Sequence, residues 1–260
     1  MNAKARSMTS AKGIATESGM KSKIRENINV CPSCKGTGWV LGTNGYRKCG
    51  CMEMNYIKRL WENYGVKADE VKSISEYKPY DPVTKVFRQK AIYYIDNFEQ
   101  ITGSMENSFG AFGQSGAGKS HVVISIGSAL IKRKVPVVYM PYLEAIRELK
   151  VNSMNEEYYS TLSNRYKRAK VLVIDDLYKD KIKHSKLVGD LTEADMKHIY
   201  PILNFRYANK LPTLFSTECT PEMLIDLDEA LAGRILESCG EFITTFQGRE
   251  FNYRLRKYRK

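Results

Sequence analysis

Short apolar runs alternate with longer amphipathic ones along most of the chain. Residues 108–114 (SFGAFGQ), 135–141 (VPVVYMP), 169–177 (AKVLVIDDL), 211–217 (LPTLFST) and 241–246 (EFITTF) are brief and rich in β-branched and aromatic side chains, which predicts strands. The run VLVIDDL is too continuously apolar for a half-exposed strand and predicts one buried on both faces. Between these runs, residues 86–101, 119–134, 142–150, 193–210 and 221–239 read as helices. The segment 193–210 reads as helical despite Pro201, and 221–239 as one helix or two. Strand–helix alternation of this kind predicts an α/β fold with a parallel sheet covered by helices on both faces.

The first third has a different texture. Residues 1–28 are polar and basic with no apolar period, which predicts a flexible segment. In residues 52–66, Met54, Ile57, Leu60, Trp61 and Tyr64 fall at helical spacing. Pro79 and Pro82 then mark a linker over residues 78–85. The expected organisation is a flexible basic segment (1–28), a cysteine module with its helix (29–75) and a large α/β domain (76–260).

With 260 residues, the chain has room for one large domain and a small appendage. No apolar run approaches the roughly 18 residues that cross a bilayer, and the N-terminus lacks the apolar core of a secretory signal. A cytoplasmic protein without a membrane partner is expected. The net charge of +12 points to a polyanion such as nucleic acid, because clustered Lys and Arg release counterions from phosphates. Five cations, Arg254, Arg256, Lys257, Arg259 and Lys260, interleave with Tyr253 and Tyr258 at the C-terminus. Such a tail suits backbone contact with stacking, and equally a solubilising surface.

The stretch FGQSGAGKSHVV brings specific chemistry. Gly113, Gln114, Ser115, Gly116, Ala117 and Gly118, followed by Lys119, Ser120 and His121, fit a strand–loop–helix whose backbone N–H groups cradle the phosphates of ATP. Lys119 adds a point charge at the β/γ-phosphates, Ser120 offers a hydroxyl to Mg²⁺, and the following helix turns its positive end on the same anion. VLVIDDL ends a buried strand in two carboxylates. Asp175 is expected to hold Mg²⁺ and Asp176 to orient or deprotonate the attacking water. Arg234, a lone cation on a helix of apolar and small residues, suits either an arginine finger offered to a neighbouring subunit or a local salt bridge.

Four of the six cysteines cluster as Cys31-x2-Cys34 and Cys49-x-Cys51. Two short knuckles across a glycine-containing loop close a tetrahedral Cys₄ site, with zinc as the default and an iron–sulfur cluster as the alternative. A module this small lacks its own core, so metal would supply much of its folding energy.

Together these motifs resemble the DnaC/DnaI-type helicase loaders, a clade of AAA+ ATPases, from the cysteine module to the C-terminus. The similarity is carried by CPSCKGTGWV…YRKCGC, by FGAFGQSGAGKSHVV, by VLVIDDL with its Asp-Asp, and by ILNFRYANKLPTLFST. It implies an AAA+ P-loop ATPase domain preceded by a small zinc-binding module. It also implies that the N-terminal part grips a hexameric replicative helicase, and that ATP-bound subunits form a homo-oligomer that places the helicase on single-stranded DNA. By position, Arg234 matches the arginine finger and Arg254 the sensor-2 arginine that meets the γ-phosphate in cis. The sensor-1 strand departs from the pattern, reading Phe215-Ser-Thr-Glu218 where the family has a polar Asn. Either Thr217 supplies the polar contact or Glu218 occupies that position, where an unpaired carboxylate would repel the γ-phosphate; slow hydrolysis is expected. Two other functions fit the same core: an IstB-like transposition ATPase, which the cysteine module disfavours, and an adaptor that binds nucleotide without hydrolysing it.

Overall fold

A computed structural model describes residues 31–43, 45–52, 55 and 73–258. The flexible segment expected over residues 1–28 lies outside the described residues, as does most of the helix expected over 52–66. The chain divides into two units, Met1–Cys49 and Gly50–Lys260. In the first, strands β1 (Trp39–Gly42) and β2 (Gly45–Lys48) form an antiparallel hairpin with Trp39 opposite Lys48 and Leu41 opposite Tyr46. The hairpin is closed at its base by Cys49 N–H donating to Gly38 O at 2.7 Å.

The second unit is built on a five-stranded, wholly parallel sheet. Its strands are β3 (Phe109–Gly113), β4 (Val137–Pro141), β5 (Val171–Leu177), β8 (Thr213–Thr217) and β9 (Ile243–Phe246). They lie in the order β4-β5-β8-β3-β9. Successive side chains of a strand point to opposite faces, and β5 shows the consequence. Val171 and Val173 join one apolar cluster with α1 (Pro82–Asp96), α2 (Phe98–Ile101) and α3 (Lys119–Lys132). Leu172 and Ile174 join the other, with α4 (Tyr142–Val151), α5 (Glu156–Lys167), α7 (Tyr200–Ala208), α8 (Pro221–Leu227) and α9 (Glu229–Cys239). All four of these strand residues are fully buried. The result is the predicted parallel sheet between two helical layers.

Connections from β3 and β8, which are neighbours, run to opposite sides: β3 leads across to β4, and β8 crosses back to β9. Strand order therefore switches between them, and in open parallel sheets ligands bind in the crevice beyond the strand ends at such a point.

Local signals fix the helix boundaries. Residues 193–210 form two helices, α6 (Glu193–His198) and α7, with Pro201 in the first turn of α7, where its missing N–H breaks no helical bond. Residues 221–239 also divide, because the Asp228 carboxylate accepts from Leu231 N–H and caps α9. Pro82 opens α1 behind an Asp81 cap, so only the first half of the expected linker lacks regular structure. Helix α5 is largely polar and gave no periodic signal; the short ribbon β6 (Ile182–Lys183) and β7 (Lys186–Leu187) is likewise invisible to period counting. Among the described residues no helix is long and apolar enough to cross a membrane.

Two buried polar centres hold the second layer. Arg206 is 1% exposed, and its guanidinium donates to Thr213 Oγ1 and to the carbonyls of Tyr166, Lys167, Ala169 and Pro212 at 2.6–3.2 Å. Asp195, fully buried, accepts from Lys181 Nζ at 2.8 Å and from the backbone N–H and hydroxyl of Thr192. Burial alone would raise its pKa, but these donors outweigh it and hold the carboxyl down at about 2. Because the folded value lies below the unfolded one, the stabilisation is full above pH 4 and is lost as pH falls toward 2. Urea midpoints are expected to drop over that interval, and Asp195→Asn is expected to flatten the drop while costing about 2 kcal/mol at neutral pH.

Candidate functional site

Strand β3 delivers the glycine-rich loop to the crevice. Gly113 has φ +92°, and a Cβ there would collide with the carbonyl oxygen of Phe246 on the neighbouring strand. At Gly118 (φ +86°) a Cβ would lie 2.6 Å from the Tyr77 ring. Glycine is thus required both by backbone conformation and by close packing. Helix α3 starts at Lys119, so the open N–H groups of its first turn face the loop.

The cleft has a volume of about 730 Å³ and is bounded by the loop from Ser115 to His121, Tyr77, Asp176, Lys179, Glu218 and Arg254. Lys119 is buried, its Nζ donating to Gly113 O at 2.7 Å and Gln114 O at 2.8 Å. Burial lowers its pKa to about 8, so an anion entering the cleft would stabilise the ammonium that desolvation disfavours. Ser120 and His121 also line the cleft, and the His121 ring meets Tyr77 edge-on.

The two acids differ in setting. The Asp175 carboxylate is clamped, Oδ2 accepting from Tyr139 Oη at 2.9 Å and Oδ1 from Ser216 Oγ. Ser216 Oγ also accepts from the Asp176 N–H at 3.0 Å. Asp176 lines the cleft and adopts a left-handed backbone (φ +55°), a conformation that costs free energy in a non-glycine residue. Its pKa is raised, first by burial and then by the adjacent Asp175 charge.

The sensor-strand question now has a geometry. Thr217 is fully buried, donating to Leu177 O at 2.6 Å and accepting from Cys219 N–H at 3.0 Å; its hydroxyl is turned away from the cleft lining. Glu218 lies in the cleft, ion-paired with Lys179 and hydrogen-bonded by Ser115. Burial pushes its pKa up, but these two donors prevail and hold it below the usual carboxylate range. The expected repulsive acid is therefore paired.

Arg254 borders the cleft in an exposed position, on a C-terminal segment fastened to the loop by Tyr253 N–H donating to Gly116 O at 3.1 Å. Arg234 is elsewhere. It sits on α9, donates to Tyr200 Oη and Ala230 O, and lies over the rings of Tyr200 and Tyr207. The local carboxylate that would make it a simple salt bridge is not its partner; two aromatic faces hold it instead.

Several cleft residues escaped the sequence reading. Tyr77, whose hydroxyl donates to Ala117 O at 3.0 Å, precedes the stretch 78–85 that reads as linker, and Tyr80, whose hydroxyl donates to Phe251 O at 2.7 Å, lies within it. Neither carries a signal that periodicity or motif spacing could use. Tyr139, Ser216 and Lys179 had none, because only tertiary contact reveals them.

The sulfurs of Cys31, Cys34, Cys49 and Cys51 all lie within 4.8 Å of one another, with Cys31 and Cys49 3.7 Å apart. A tetrahedral thiolate site with metal–sulfur bonds of about 2.3 Å requires sulfur separations of about 3.8 Å, so the four residues fit a single bound ion.

Comparison with known proteins agrees with this architecture. Residues 87–239 match the family described as the bacterial DnaA ATPase domain. The chain is 32% identical over 240 residues to the phage-like element PBSX protein XkdC of Bacillus subtilis, covering 86% of each. Its fold is similar to that of the DnaC helicase loader (TM-score 0.54, 19% identity, 73% of this chain and 99% of that one). It is also similar to the replication initiator DnaA bound to AMPPCP and single-stranded DNA (TM-score 0.53, 16% identity, 72% and 55%). With more than half its length matched by the family and a relative aligned over nearly all of it, the chain belongs to the DnaA-like AAA+ ATPase family of replication proteins.

Proposed function

We propose that this protein is an ATP-dependent loader of a replicative helicase, in which nucleotide binding and slow hydrolysis time assembly and release. The supporting observation is the crevice beyond β3 and β8, where Lys119 and Ser120 of α3 converge with Asp176 of β5 and Arg254 of the C-terminal segment. Lys119 and the loop amides bind the phosphates of ATP, while Ser120 and the clamped Asp175 hold Mg²⁺, whose charge offsets that of the phosphates. Asp176, with its raised proton affinity, accepts a proton from the attacking water. Arg254 contacts the terminal phosphate of its own subunit, and Arg234 meets a neighbour's nucleotide in an ATP-bound homo-oligomer. The N-terminal region through the cysteine module grips the hexameric helicase, and the ATPase domain meets single-stranded DNA.

The four cysteines hold one zinc ion; an iron–sulfur cluster would spread its thiolates wider than 4.8 Å. Freshly purified protein is expected to carry one zinc per chain, and Cys34→Ser to lose it; protein without zinc overturns this assignment. The loader reading is tested by gel filtration of the protein with the replicative helicase of its host in the presence of ATPγS. Co-elution is expected. Co-elution with a transposase and not with the helicase would overturn the reading.

A further inference from the structure

Lys179 and Glu218 have no role in the scheme above, yet both line the cleft, from the ends of the adjacent strands β5 and β8. Glu218 follows β8 and is held there on both sides. Thr217 is bolted to Leu177 O, and Cys219 O accepts from the N–H of Gly113 at the root of the phosphate loop. Lys179 follows Asp176 and Tyr178, both with left-handed backbone (φ +55° and +57°), so the turn that aims the second acid also aims this lysine. The Glu218 carboxylate takes a bond from Lys179 and another from Ser115 in the loop itself. It is also the acid that acts most strongly on the charge of Lys119, ahead of Asp176 and Asp175. A fixed anion thus sits among the donors that a polyphosphate requires.

Resting on the phosphate-site reading, we infer that the Glu218 carboxylate competes with the terminal phosphate of a nucleoside triphosphate. Lys179 exchanges one anion for the other on binding, so that the pair discriminates triphosphate from diphosphate. The exchange moves no covalent bond; one ammonium passes from a carboxylate to a phosphate oxygen. A diphosphate lacks the third phosphoryl group and leaves the Lys179–Glu218 pair intact, so it is much less sensitive to both side chains. The turn carrying Lys179 also carries Asp176, so the exchange couples the identity of the nucleotide to the position of the acid.

Titration calorimetry with ATPγS and with ADP on Lys179→Met, Lys179→Arg and Glu218→Gln tests the inference. Lys179→Met is expected to weaken ATPγS by about tenfold, the scale of a hydrogen bond to a charged group, while ADP moves by less than about twofold. Lys179→Arg restores most of the loss. Glu218→Gln, which removes the competing charge, tightens ATPγS and leaves ADP unmoved. The ratio of the two affinities is the readout, because a misfolded fraction removes both ligands alike. Affinities that shift in parallel, or do not shift at all, overturn the inference while leaving the phosphate site standing. A parent protein that binds neither nucleotide overturns both.

Discussion

Lys119→Met is expected to abolish measurable ATP binding while leaving the protein without added nucleotide melting within a few degrees of the parent. The two halves of this result rest on opposing energies. Lys119 donates two hydrogen bonds to loop carbonyls, worth about 2 kcal/mol each because the donor is charged. Against that stands the cost of burying an ammonium whose pKa is lowered to about 8. Both states are charged at pH 7, so the penalty is full there and fades as pH rises from 8 toward 10.5. Removing the charge therefore roughly offsets removing the bonds. The phosphates, in contrast, lose their only buried cation among the described cleft residues, and two or more charge-assisted contacts amount to about a hundredfold or more in affinity. Scanning calorimetry with and without ATP checks both parts. Added ATP should raise the melting temperature of the parent by mass action and that of the variant not at all.

Arg206→Met is expected to be the most damaging single change to the fold, costing about 3–5 kcal/mol. The guanidinium is neutralised by no carboxylate; its bonds go to four carbonyls and one hydroxyl. Those carbonyls terminate α5 and precede β5 and β8, so the side chain ties the end of a helix to the starts of two central strands. Burial lowers its pKa to about 9, which records how little solvation remains. Methionine fills similar volume but leaves five buried acceptors with fewer donors, each costing about 1–3 kcal/mol if left unsatisfied. Denaturant unfolding of parent and variant measures the loss. A variant as stable as the parent would show that the carbonyls find water or other donors.

How far the sequence disclosed this molecule depended on whether a signal was periodic or positional. The five strands were legible because burial on both faces demands continuous apolar runs, as in VLVIDDL. The phosphate loop was legible because glycine is the residue that its left-handed turns and close packing admit. Cys31, Cys34, Cys49 and Cys51 were legible from spacing, and their sulfurs do converge. The divisions of α6 from α7 and of α8 from α9 were half legible: Pro201 and Asp228 are boundary residues, but whether a helix kinks or restarts is settled by packing. The linker reading of residues 78–85 missed Tyr80 because a proline-rich stretch says nothing of what its side chains touch. Lys179 and Ser216 were beyond sequence logic, since a lysine and a serine gain meaning only from partners 39 and 41 residues away. The sensor strand divides along the same line. The acid at Glu218 was visible as a departure, but its neutralising partner was not.

Control by ATP over the deposition of a helicase ring is measurable as helicase capture on circular single-stranded DNA. The hexameric helicase of the host, mixed with a circular single strand, is scored for salt-resistant complexes with and without this protein and ATP. Stable complexes are expected to accumulate only when protein and ATP are both present, if ATP controls deposition. Lys119→Met is expected not to form them, and Asp176→Asn to hold the helicase without releasing it. Equal loading without the protein, or undiminished loading with Lys119→Met, would contradict that control.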